Sequence, residues 1–482
     1  MKPALYPAEP QHLWEHFYQF SRRPRPSGQE ALVRSYVTDL ADQQAYRWQQ
    51  DSAGNLVVYV GASAGMEQRP VVVIQNHLDM VTVQLPDKNH NFSSDPLVLK
   101  VDDGWLSADG TTLGADNGLG CAAALAVMTD PDVVHPPLEL LFTVNEETGL
   151  QGALQLDASM LSGRRMLNLD TEDWGELFIG CAGGVVWEFR RDINTEPVPD
   201  GHRGFKLSLE GLAGGHSGIE IHRQLANAAK LLGQWLLEAR QLGIRLAAVD
   251  VGVAHNVIPR RGSLLLSCPA QSHSDLMALN DRLTGRWKQY LSPADAGLQL
   301  TIEAATAEPV LCAEDQQVLE RVLLMFPNGA KTYSASQPAD LVSLSTNLAV
   351  VRVGADEMML ESSLRYFNEA EAQSASVEVL ALAETFAMSV EETVAYPGWQ
   401  PDFDSPLLAQ TRQMYQQLFA ELPAVKAIHA GLECGILKDK LPAMDTVSFG
   451  PTIRGAHSPR ECLEIATVAP FWYLLTTLLA QM

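Results

Sequence analysis

Four short, nearly unbroken apolar runs punctuate the first 183 residues: NLVVYV, PVVVIQN, PLELLFTVN and RRMLNLD. Runs this short, bounded by Gly, Pro and polar residues, predict buried strands rather than helices. Ahead of them, EHFYQFSRRPRPSGQEALVRSYVTDLADQ predicts two helices broken by a Pro-Arg-Pro-Ser-Gly loop, with Ser27 and Glu30 spaced as a capping box. GLGCAAALAVMTD predicts an Ala-rich helix. Continuous apolar strands alternating with helices predict an α/β domain, its mainly parallel sheet sandwiched by helices.

The pattern changes near IGCAGGVVWEF. GFKLSLEGL, LAAVDVGVAH and GSLLLSCPA predict strands, with the long helix QLANAAKLLGQWLLEARQLG after the first. The same order recurs from GLQLTIEAA through the helix AEDQQVLERVLLMF to LAVVRVGADEMMLESSLRYF, which suggests a duplicated unit. Beyond the turn-rich AYPGWQPDFDSP, helix and short strand resume and close on PFWYLLTTLLAQM. The expected layout is a catalytic α/β domain, 1–183 and 395–482, interrupted by a large α+β insert, 184–394.

Several strands end on metal-binding residue types. VVVIQNHLDM presents His77 and Asp79 two positions apart, on one side of a strand. FTVNEETG delivers Glu146 and Glu147, and LNLDTED delivers Asp170. The Gly-rich loop of DGTTLGADNGLG carries Asp116 just before a helix. Each has a plain alternative: a strand surfacing, a solvated turn, a loop start, or a helix cap at Asp116 or Asn117. Together they point elsewhere, because open α/β sheets bind ligands beyond the carboxyl ends of their strands. Carboxylates gathered there repel unless a cation compensates them. One His with several carboxylates suits a divalent metal, zinc above all. A pair of metals would need a bridging carboxylate and a second imidazole, and His457 in SFGPTIRGAHSPRE is the candidate. Of the adjacent glutamates, one would bind metal and the other would stay free as general base.

Composition removes several other classes. The formal net charge is −24, with no cluster of Lys and Arg, which argues against nucleic acid. The short run Arg22-Arg23-Pro24-Arg25 reads as a solvated turn. No signal-peptide core and no membrane-length apolar run is present. The six cysteines, at 121, 181, 268, 312, 434 and 462, show no paired spacing and read as reduced thiols of a cytoplasmic protein.

HLDMV, GADNGLG, NEETGLQGA, NLDTE, GGHSG and SFGPTIRGAHSPRE, in that order, resemble the dinuclear zinc peptidase family that includes carboxypeptidase G, aminoacylase and the dipeptidases. The resemblance spans essentially the whole chain. It is nearest to the branch that cleaves aminoacyl-histidine dipeptides. It implies two Zn2+ per subunit, with Co2+ or Mn2+ as substitutes. His77 and Asp170 would bind one ion, Glu147 and His457 the other, and Asp116 would bridge them. Asp79 would orient His77, and Glu146 would be the general base. The insert would act as a lid and dimerisation domain, with His216 completing a partner's site. Asn256 and Arg365 would touch substrate, and Arg454 would grip its terminal carboxylate. The implied substrates are dipeptides with free termini, including Xaa-His dipeptides such as carnosine. Alternatives are an amidohydrolase or tripeptidase of the same family, a two-metal phosphoesterase, and a non-catalytic metal-binding protein.

Overall fold

Each of the four apolar runs forms a strand: Leu56–Val60, Val72–His77, Leu138–Thr143 and Arg165–Asn168. The structure is a computed structural model that describes residues 2–334 and 341–482. It divides into two units, Met1–Cys181 with Trp399–Ala427 and Leu432–Met482, and Ala182–Gly398 with Ile428–Gly431. The sequence reading placed the junctions at 183/184 and 394/395. The units change over at 181/182 and 398/399, and Ile428–Gly431 returns to the second unit.

In the first unit the strands join one eight-stranded sheet, in the order Arg47–Gln50, Leu56–Val60, Leu138–Thr143, Val72–His77, Arg165–Asn168, Asp445–Ser448, Glu176–Cys181, Ala424–Ile428. The three central pairings, from Leu138–Thr143 across to Asp445–Ser448, are parallel. The pairings that flank them are antiparallel. Parallel strands end at the same edge, so the residues that follow them are delivered together. Register sets His77 opposite Thr143 and Gln75 opposite Asn168. Val72–His77 and Leu138–Thr143 are buried at every position, which is why their sequences do not alternate. The helix Ala115–Thr129 packs on Val72–His77 and on the helix Gln11–Ser21. Its run of alanines is buried all round, as close packing against neighbours requires.

The expected capping box does not form. The helix Ala31–Gln43 starts at Glu30 with no side-chain cap. Ser27 Oγ instead donates to Asp79 Oδ2 at 2.8 Å, and Glu30 Oε1 accepts from the N–H groups of Gly28 (2.8 Å) and Asn145 (3.0 Å). Both side chains hold active-edge loops in place of a helix terminus.

The second unit is built on an antiparallel sheet in the order Gln299–Ala305, His202–Glu210, Gly262–Pro269, Arg245–Val251, Val342–Val353, Glu357–Tyr366, Gly183–Asp192, Ser389–Tyr396. Its core gathers Trp187, Phe189, Trp235, Trp287 and Phe326. The order is two four-strand halves back to back, joined where Arg245–Val251 pairs Val342–Val353. A duplicated unit is therefore visible, but its second copy begins with Gly183–Asp192. Gln299–Ala305, which the sequence reading put there, is the outer strand of the first copy. All six cysteines are free, and no helix of the described residues is long and apolar enough to cross a membrane.

Candidate metal centre and active site

The ends of the central strands deliver His77, Asp79, Glu146, Glu147 and Asp170 to one edge of the first unit, where the Asp116 and His457 loops meet them. Asp116 lies at the start of Ala115–Thr129 with non-helical backbone (φ −79, ψ 114) and caps no N–H group. Its carboxylate lies between two histidines. Oδ1 is 3.1 Å from His77 Nε2, and Oδ2 is 3.2 Å from His457 Nε2. His77 Nε2 also lies 3.3 Å from Asp170 Oδ1, and His457 Nε2 lies 3.0 Å from Glu147 Oε2. Two donor sets result, His77/Asp116/Asp170 and Asp116/Glu147/His457, each with its atoms within 4.8 Å of one another. Glu146 forms a third set with His77 and Glu147. Asn145 (φ 54) and His457 itself (φ 59) hold left-handed backbone, a costly conformation that clusters at functional sites.

Asp79 stands behind His77. Its Oδ1 is 3.5 Å from His77 Nδ1, and its two oxygens accept from the N–H groups of Glu146 (3.0 Å) and Glu147 (3.1 Å). One carboxylate thus orients the imidazole and fixes the turn carrying both glutamates. Burial works against the charged form of Asp79. The hydrogen bond and charge of His77 outweigh it and hold the carboxyl down at about 2.

The other charges of the site are strained. Burial disfavours an imidazolium at His77, yet the charges of Asp170 and Glu146 and hydrogen bonds to Asp116 and Asp170 raise it well above its ordinary value. Hydrogen bonds to Asp116 and Glu147 raise His457 to about 11. Burial raises Asp170 to about 6 and Glu146 well above the usual carboxylate range, against the pull of His77. Asp116 is held below that range because hydrogen bonds with His457 and His77 overcome its burial. Without another cation, histidine protons must neutralise this cluster. Glu147 Oε1 is buried without a hydrogen-bond partner. A divalent ion at each donor set would replace the imidazole protons with lone-pair donation and leave the carboxylates ionised. The residues fit a metal pair.

Arg454 is also in this unit. Its Nη1 pairs with Asp173 Oδ1 at 2.7 Å and donates to the carbonyls of Glu172 and Ile453. His216, Asn256 and Arg365 belong to the second unit. There His216 Nδ1 accepts from the N–H groups of Gly218 and Ile219, both at 3.1 Å, which leaves the ring proton on Nε2. The Asn256 carbonyl accepts from Ser217 N–H at 2.8 Å. Arg365 is buried and donates to Tyr396 Oη at 3.0 Å.

Sequence reading missed four contributors. Asn117 Nδ2 donates to Asp170 and to the Leu169 carbonyl. Glu433 is fully buried beneath the strand ends, where it accepts from Gln75 and Thr143 at 2.6 Å each. Arg25 and Glu461 are buried around the Asp116 loop. Arg25 had one usable signal, its place between two prolines. Asn117 and Glu461 lie inside quoted motifs, beside Asp116 and four residues after His457, but their partners emerge only in the fold, and Glu433 is near no proposed ligand in sequence.

The model of peptidase family M20/M25/M40 matches residues 73–481. The cytosol non-specific dipeptidase of Escherichia coli (strain K12) is 38% identical over 474 residues, 98% of either chain. The solved aminoacylhistidine dipeptidase of Vibrio alginolyticus superposes with a TM-score of 0.88 at 36% identity, over 98% of this chain and 97% of that one. Aminopeptidase PepT of Bacillus cereus, at 14% identity and a TM-score of 0.57 over 98% of both chains, shares the fold. With a match over most of its length and relatives this similar, the chain belongs to peptidase family M20/M25/M40.

Proposed function

We propose that this hydrolase is a dipeptidase that works with two divalent metal ions, Zn2+ first among them. The observation that carries this reading is the placement of Asp116, with one carboxylate oxygen toward His77 and Asp170 and the other toward His457 and Glu147. His77 and Asp170 would hold one ion, His457 and Glu147 the other, and Asp116 both. When bound, such a pair supplies Lewis acidity and a more acidic water.

The chain's own residues do the rest. Glu146 adjoins both donor sets without being needed by either, which leaves its carboxylate available to accept a proton. It takes the proton of the attacking water and passes it to the departing amine. Asp79 keeps His77 in its tautomer and holds Glu146 through its backbone N–H. In the second unit, the proton on His216 Nε2 makes that ring a donor suited to the developing oxyanion. We assign Asn256 and Arg365 to substrate contact and Arg454 to the terminal carboxylate, a task that suits a planar fork of donors.

The relatives are named a non-specific dipeptidase and an aminoacylhistidine dipeptidase, and from that start we infer dipeptides with free termini as the substrates here, Xaa-His dipeptides such as carnosine among them. We take the assembly to be a homodimer in the cytoplasm, with His216 acting on the partner's site. The test is a panel of dipeptides, tripeptides and acyl amino acids offered to the zinc-loaded protein. Dipeptides should lead, and Xaa-His dipeptides should be hydrolysed. Preference for acyl amino acids or tripeptides would place the chain in another branch of the family.

A further inference from the structure

The basic run expected to be a solvated turn leads to the interior. Arg25 is 2% exposed. Its Nη1 donates to the carbonyls of Leu78 (2.9 Å) and Asp79 (2.7 Å), and its Nη2 to that of Gly114. No carboxylate bonds it among the described residues. A buried cation without an ion partner is costly, so three carbonyl dipoles must compensate it. The chain around Arg25 grips the same loop, since its carbonyl accepts from Met80 N–H at 3.2 Å and Ser27 Oγ bonds Asp79.

Glu461 is its counterpart, also 2% exposed. Its Oε2 accepts from the N–H groups of Leu113 (2.7 Å) and Gly114 (2.9 Å), and its Oε1 from Ala115 (2.7 Å) and, at greater length, Asp116 (3.4 Å). Its own N–H is bonded to the Ser458 carbonyl at 3.0 Å, beside His457. Arg25 therefore holds the carbonyl side of the Leu113–Asp116 segment and Glu461 the N–H side. The glycines of GADNGLG and its lead-in are shaped to this. A Cβ at Gly114, where φ is +65, would stand 2.5 Å from Arg25 Nη2, and one at Gly118 would stand 2.6 Å from it.

We propose that Arg25 and Glu461 are positioning residues of the hydrolytic reaction, a buried cation and a buried anion that clamp the Asp116 loop from opposite sides and fix its carboxylate between His77 and His457. The clamp ties together the loops of Asp79, Asp116 and His457, which lie far apart in sequence. It rests on the reading of Asp116 as the shared ligand of two metals.

The test uses Arg25→Lys, which keeps the charge but loses the fork, and Glu461→Gln, which turns an acceptor into a donor facing backbone N–H groups. Metal-free full-length chains are titrated with Co2+, followed by its visible absorption, and kcat and KM are measured separately. Moving the groups that orient a ligand typically costs about 10–100-fold in metal affinity or activity. We expect Co2+ affinity and kcat to fall by about that much, with KM changed by less than about threefold, while the chains still melt cooperatively. Variants that fold, bind Co2+ as the parent does and keep kcat within about twofold overturn the clamp. If either variant fails to fold, Gly118→Ala decides, since its Cβ displaces Arg25 without removing a charge. Unchanged affinity and kcat in Gly118→Ala would be equally decisive against it. Asp116→Asn is run alongside. If Asp116→Asn binds Co2+ like the parent, the shared-ligand reading fails; if it loses the metal and the clamp variants do not, only the clamp fails.

Discussion

Glu146 and Glu147 are adjacent in the chain, yet the fold separates their tasks. Glu147 shares His457 with Asp116, whereas Glu146 adds nothing that the two donor sets lack. Glu146→Ala should therefore keep its metal and lose turnover by about two to four decades, the usual weight of a general base. Glu147→Ala should lose metal instead, as elemental analysis of the purified chains would show. Equal metal loss in both would contradict the division. Arg454 is open to two readings that one substitution separates. It is 52% exposed on Asp173, itself 43% exposed, and such surface pairs contribute little. If it binds the substrate's carboxylate, Arg454→Ala should cost about 1.5–3 kcal/mol of transition-state binding, and amidated dipeptides should be poor substrates of the parent and no worse for the variant. Unchanged kcat/KM would leave it the ion pair alone. Of the seven proposed catalytic and metal residues, the five at or just after strand ends were legible in the sequence because short strands must end somewhere and these end on ligand types, whereas Asp116 and His457 lie in loops and were legible through their Gly-rich surroundings and the family resemblance. Arg25 was not, because a basic run beside prolines looks the same whether it faces water or backbone carbonyls.

At the scale of elements, a buried polar layer lies one step below the ligands. Asn168 Nδ2 donates to Gln75 Oε1 at 2.6 Å, Ser448 Oγ bonds Asn168 Oδ1, and Gln75 and Thr143 meet Glu433. Gln75 and Asn168 each precede a proposed ligand, His77 and Asp170, by two positions and so share its side of the strand. This layer explains why the strands are not purely apolar: their polar residues bond one another and fix the register that aligns the ligands. Burial raises Glu433 to about 8, against the opposing charge of His77 and the Thr143 hydrogen bond. The sign follows from proton counting. Between about pH 4.5 and 8 the folded chain keeps this proton and the unfolded chain has lost it, so stability falls as pH rises. In the metal-free protein, Glu433→Gln should flatten the decline of the urea midpoint across that window. An unchanged slope would mean that Glu433 is ionised in the fold. The strands themselves were legible from their apolar runs. The duplicated unit was visible only in outline, because its second copy takes Gly183–Asp192 from far upstream, and periodicity carries no information on which strands pair.

For the whole molecule, composition sets limits and likeness to its relatives gives kinship. A net charge of −24 without basic clusters fits small substrates better than nucleic acid. The remaining question of assembly turns on His216, which lies in a different unit from every proposed metal ligand. A His216→Ala chain mixed with a Glu146→Ala chain should recover about a quarter of the parent's activity if sites are completed across a two-fold dimer, since half the dimers would be mixed and each would hold one whole site. No recovery after subunit exchange would place His216 on its own chain's site. The shared carboxylate of Asp116 is the centre of the account, and its most direct test is to titrate the metal-free chain with Zn2+ while following hydrolysis of an Xaa-His dipeptide. Hydrolysis should rise to a plateau at two equivalents per chain, with Glu146→Ala taking up the same two and remaining silent. A plateau at one equivalent, or hydrolysis without added metal, would contradict it.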